Sequence, residues 1–109
     1  MKVGIIRCQQ TEDMCPGATD FSMAKQGNGA FAETGAADIV GFVSCGGCPG
    51  KKALTRAKMM TDRGAEVIFL ASCIGKGTPI GFPCPHFAMM KEAIMKALGQ
   101  DSKLIDWTH

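Results

Sequence analysis

Four short apolar runs divide this chain, and each ends on a side chain that can ligate a metal. Residues 3–6 lead into Cys8, residues 39–43 into Cys45, residues 67–71 into Cys73, and residues 104–107 lead to His109. The runs at 39–43 and 67–71 are near-continuously apolar, the pattern of strands buried on both faces in a parallel sheet covered by helices. Segments with helical spacing lie between the runs. From Pro49 onward, Ala53, Ala57, Met60 and Gly64 recur on one stripe. From about His86 to Leu98 the stripe is Phe87, Met90, Ile94, Ala97 and Leu98, and Gly99 stops the helix. Residues 21–34 are weakly helical, with Gly27 and Gly29 interrupting the pattern, and residues 9–20 read as a loop.

Strands alternating with helices predict an α/β fold. The expectation is a single three-layer α/β/α domain over residues 1–109, with four parallel strands over about 2–8, 38–45, 66–73 and 103–107. The predicted strand order is flavodoxin-like, 2-1-3-4. Parallel strands bring their carboxyl ends to one edge, where open α/β sheets build their sites. Cys8, Cys45, Cys73 and His109 would meet there. Cys15, Cys48, Cys84 and His86 lie in the loops that follow.

Composition narrows the function classes. The formal net charge is only +2, and Lys51-Lys52 is the longest basic run, so no nucleic-acid partner is expected. No apolar stretch approaches the roughly 18 residues that span a bilayer, so no membrane partner is expected either. Residues 1–7 read as a first strand rather than a signal peptide, which makes a cytoplasmic location the expectation. Thiols stay reduced there, so six cysteines point to metal ligation or redox chemistry before structural disulfides. The eight methionines, including Met59-Met60 and Met89-Met90, sit at helical spacing and read as core filler rather than Cu(I) ligands.

Cys45-Gly46-Gly47-Cys48 is the sharpest motif. Two intervening residues let both sulfurs turn toward one ion, and glycine takes positive φ without strain. At a helix start, the dipole favours the thiolate. Thiolates are the ligands that zinc, Cu(I) and iron–sulfur clusters select. The candidate metal ligands are therefore Cys8, Cys15, Cys45, Cys48, Cys73, Cys84, His86 and His109. Cys45 and Cys48 lead, Cys73 comes next and Cys8 fourth; the others form a second site or the wall of the first. Zn²⁺ is the default cofactor, and an iron–sulfur cluster is the alternative. The rival class is a thiol–disulfide protein with Cys45 as nucleophile and Cys48 as resolving thiol. No Ser-His-Asp order, Walker loop or dinucleotide fingerprint singles out an enzymatic reaction.

The segment Val43-Ser44-Cys45-Gly46-Gly47-Cys48-Pro49-Gly50-Lys51-Lys52 resembles the signature of the CGGC domain family. The resemblance runs over nearly the whole chain through Cys8 with Thr11 and Cys15, Ser72-Cys73-Ile74, Pro83-Cys84-Pro85-His86 and Thr108-His109. It implies a metal-binding role, with zinc as the ion, a description the family carries because of its cysteines and histidines. Some relatives have one more cysteine shortly after the position of Cys15. This chain has Thr19-Asp20 there, which leaves the ligand count open or makes Asp20 a substitute oxygen ligand.

Overall fold

A computed structural model describes residues 1–79, 81–99 and 102–109. Its strands are β1 (Lys2–Arg7), β2 (Asp38–Ser44), β3 (Val67–Leu70) and β4 (Lys103–Ile105). All pair in parallel, in the order β2-β1-β3-β4, as the sequence predicts. The helices are α1 (Ala18–Gln26), α2 (Lys51–Asp62), α3 (Ser72–Gly75) and α4 (Phe87–Leu98). Two 3-10 turns, Gln9–Thr11 and Gly29–Glu33, fill the first crossover.

Side chains alternate across the sheet, and the alternation explains the layers. Gly4 and Gly41 pair in register and carry no side chain, so Met60 of α2 seats directly on the sheet; a Cβ at either position would stand 2.7 Å from the Met60 sulfur. α2 also packs on α4, which completes this layer. The opposite face presents Phe42, Ile5 and Phe69, in register across β2, β1 and β3. Phe21 of α1 meets Phe42 at a centroid distance of 4.9 Å. Phe31 of the second 3-10 turn stacks on Phe69 at 4.2 Å. Val3, Ile5, Ile6, Ile68, Phe69 and Leu70 are fully or almost fully buried between the layers.

Three expectations are corrected. β2 is an edge strand with no fully buried residue and with Val40 exposed, because apolar content alone does not tell an edge from a centre. β3 stops at Leu70; Ser72-Cys73 begins a helical turn rather than ending a strand. Ala97 faces outward, and the buried stripe of α4 is Met90, Ile94 and Leu98. Among the described residues, no helix is long and apolar enough to cross a membrane.

Candidate functional site

Ladder bonds carry the three cysteine-bearing strand ends to one edge. The Cys45 N–H donates to the Arg7 carbonyl at 2.7 Å, and the Ala71 N–H donates to the Ile6 carbonyl at 2.9 Å. β1 and β3 are neighbours from which the chain departs in opposite directions, so a crevice opens beyond their ends. Cys8 follows β1 and Cys73 follows β3 across that crevice. The Cys8 N–H donates to the Cys73 sulfur at 3.2 Å.

This contact divides two cavities. On one side, Cys8, Cys45, Cys48 and Cys84 line a tight space of about 20 Å³, with His86 at its wall. Gly46 and Gly47 have φ of 83° and 97°, which turns the chain between Cys45 and Cys48 as the glycines predict. Gly50 then starts α2 without any side-chain cap. Cys84 is held by its own N–H donating to the Ile74 carbonyl at 2.7 Å, and its sulfur accepts from the His86 N–H at 3.4 Å. Cys45 is buried, Cys48 is exposed, and all six cysteines are unbridged.

On the other side, Cys15, Cys73, Asp20 and His109 share a cavity of about 290 Å³ with Arg7 and Thr11. One Arg7 terminal nitrogen donates to the Thr11 hydroxyl at 3.1 Å and also to the Cys15 carbonyl. The His109 Nε2 lies 3.5 Å from the Asp20 Oδ1, which is buried and has no hydrogen-bond donor. His109 is anchored through Ser72, whose hydroxyl oxygen accepts from the His109 N–H at 3.0 Å and from the Thr108 N–H at 3.1 Å.

Burial pushes the Cys8 thiol above its ordinary value of 9.0, and the Gln10 backbone N–H pulls the other way. Cys45, Cys84 and Cys48 add to the rise, because several negative charges would crowd one cavity. Burial likewise raises Cys73, opposed by hydrogen bonds from the Cys8 N–H and the Thr11 hydroxyl. Both groups therefore favour the protonated thiol at neutral pH. A metal would displace those protons on binding.

The eight expected ligands thus fall into two groups. Cys84 and His86 join the Cys8, Cys45 and Cys48 cavity, while Cys73 lies in the second cavity with Cys15 and His109. As the side chains stand, no group of three or more His, Cys, Asp or Glu among the described residues is placed to hold one ion. The donor chemistry of the thiol cavity still fits a soft ion, since four thiols and an imidazole line one small space. Sequence reasoning missed Arg7. It precedes Cys8 at the carboxyl end of β1, and strand position is the available signal, since a lone arginine carries no ligand chemistry of its own.

No solved structure matches this chain. An uncharacterized protein of Methanocaldococcus jannaschii is 40% identical over 79 residues, which cover 67% of this chain and 62% of that protein. The aligned part therefore spans less than two thirds of the relative's length. The CGGC domain profile matches residues 2–109, from the first strand through His109. With the Cys-Gly-Gly-Cys turn at the strand-to-helix junction and the other cysteines and histidines gathered along the same sheet edge, the chain belongs to the CGGC domain family.

Proposed function

We propose that this protein binds a thiophilic metal ion through Cys8, Cys45, Cys48 and Cys84, with zinc as the ion and His86 at the rim. One observation carries the reading: four unbridged cysteines line one cavity at the carboxyl edge of the sheet. Four thiolates match the closed, tetrahedral preference of structural zinc. Closure requires the thiol side chains to rotate inward, which the exposed Cys48 and half-buried Cys8 and Cys84 can do more readily than the buried Cys45. Cys8, Cys45, Cys48 and Cys84 would hold such an ion so that it would cross-link the ends of β1 and β2 and the loop before α4. The same donors suit an iron–sulfur cluster, which colour distinguishes.

A thiol–disulfide role is the second reading, supported by the exposure of Cys48 beside a buried Cys45. Accessibility then makes Cys48 the attacking thiol and Cys45 the resolving one, the reverse of the order expected from strand proximity.

The test is anaerobic purification, elemental analysis and an absorption spectrum. About one zinc per chain and no colour is the expected result, from the four-ligand rule. Cys48→Ser and Cys84→Ser should both lose the metal. Metal-free protein with six freely titrating thiols, reducing insulin disulfides and retaining that activity in Cys84→Ser, would overturn the metal reading in favour of the redox one.

A further inference from the structure

We propose that the second cavity binds a free α-amino acid, its ammonium group on Asp20 and its carboxylate on Arg7. This goes beyond the metal reading and does not rest on it.

Asp20 carries the argument. Its side chain is only 7% exposed, it lines the cavity, and its Oδ1 has no donor. A buried carboxylate oxygen left without a donor is costly, more so than a neutral acceptor. His109 Nε2, 3.5 Å away, makes no hydrogen bond to it and pairs with it by charge only when protonated. A ligand ammonium would bring three N–H donors and a compensating charge.

The opposite character stands in the same cavity. Arg7 is fixed by the Thr11 hydroxyl and the Cys15 carbonyl, and its guanidinium lies 5.5 Å from the centre of the Phe42 ring. Both of those bonds come from one terminal nitrogen, and a guanidinium has five N–H donors. The N–H donors on its Nε and on the other terminal nitrogen are left for single charge-assisted hydrogen bonds to a carboxylate. Ala18 and Thr19, in the first turn of α1, also line the cavity. That turn has no side-chain cap, so its first N–H groups and the positive end of the helix dipole are free for an anion.

A phosphate would suit Arg7 and the helix start but not the Asp20 carboxylate. A simple amine would suit Asp20 and leave Arg7 unused. A zwitterion uses both. The cavity, at about 290 Å³, is at the small end for organic ligands. Phe42 and Pro79 make part of its wall apolar, which favours a short apolar side chain such as that of valine.

Calorimetric titration with L-valine tests this directly, with isobutylamine and isovalerate as its two halves. Valine should bind at least about tenfold more tightly than either half, since each half forfeits one charge-assisted contact. Asp20→Asn should weaken valine by about tenfold or more and leave isovalerate unchanged. Arg7→Gln should do the reverse, weakening valine and leaving isobutylamine unchanged. The comparison of valine with its halves uses the unaltered protein, so it stands even where a variant fails to fold. No valine binding at millimolar concentration, binding no stronger than that of a half, or equal valine affinity in folded Asp20→Asn would each overturn the proposal. So would Asp20-dependent binding of zinc with none of valine, which would make this cavity a cation site.

Discussion

Two of the three cysteine-bearing strand ends carry the same dipeptide, Ser44-Cys45 and Ser72-Cys73, and the fold uses them in different ways. Ser44 is the last residue of β2 and half-buried; its hydroxyl oxygen accepts from the Gly46 N–H at 3.2 Å and from Arg56 at 3.0 Å. It shapes the turn that leads Cys45 into the thiol cavity. Ser72 lies past the end of β3, inside α3, and is fully buried. Its hydroxyl donates to the His109 carbonyl at 3.0 Å while accepting two backbone N–H groups from Thr108 and His109. It ties residues 108–109 to the sheet edge, and Cys73 lines the cavity that Asp20 and Cys15 share, with its sulfur accepting from the Cys8 N–H. Identical local chemistry thus serves a turn in one place and a tertiary anchor in the other. The difference lies in where the strand stops: β2 is an edge strand that runs to the dipeptide, and β3 is a central strand that ends two residues before it.

The largest effect that would break this comparison is on stability. Ser72→Ala removes the acceptor for two N–H groups at once. It should cost about 2–4 kcal/mol in urea unfolding, because unsatisfied buried donors lose their full desolvation penalty. Ser44→Ala should cost under about 1 kcal/mol, since Arg56 also donates to the Ser44 carbonyl and retains that bond. Equal losses would show that the two serines do the same work after all.

Metal retention sharpens the contrast between the cysteines. Cys45→Ser should weaken zinc binding more than about tenfold, the least expected when a ligand rather than its support is removed. Cys73→Ser should change it little, because Cys73 lines the other cavity. A competition titration with a chromophoric chelator measures both, and parallel losses would merge the two cavities into one site.

Alkaline pH gives the smallest effect. Cys73 and Cys8 have thiol pKa values raised by burial above 9.0, so the folded state holds their protons longer than the unfolded chain does. The stability they contribute is complete below pH 9.0 and is lost as pH rises through their folded values. Thermal melts of metal-free protein should therefore decline above pH 9.0, and Cys73→Ala should flatten the decline. At neutral pH, iodoacetamide should modify the exposed Cys48 before Cys73. An equal rate at the two thiols would deny the burial on which the contrast rests.

Much of the fold is legible in the chain. Residues 3–6 and 67–71 announce strands through β-branched and apolar content, and the Ala53, Ala57 and Met60 stripe announces α2 with the face it buries. The site is legible only as an inventory. Cys73 reads as a nearer partner of Cys45 and Cys48 than Cys84 does, and Cys15 and His109 read as equivalent to Cys84 and His86, because spacing reports proximity along the chain and not the direction in which a side chain leaves a strand end. Arg7 is silent in the sequence for the same reason, and Asp20 enters there only as a substitute oxygen ligand. One is a strand-end cation and the other a first-turn carboxylate, both ordinary until the fold buries Asp20 beside His109.

Periodicity and composition by themselves determined a parallel α/β sheet with thiols and imidazoles along its carboxyl edge, while the flavodoxin-like order 2-1-3-4 is an expectation that the structure bears out. Those properties follow from local preferences: apolar runs must be buried, helices must cross between parallel strands, and a crossover returns the chain to the same edge each time. Only the tertiary structure decided how that edge is partitioned. Cys8 meets Cys73 through a backbone N–H rather than in a shared ligand set, and Ser72 is recruited by Thr108 and His109 across 36 and 37 residues of chain. Such contacts join segments remote in sequence, and their geometry is set by the packing of the whole sheet rather than by any motif within it.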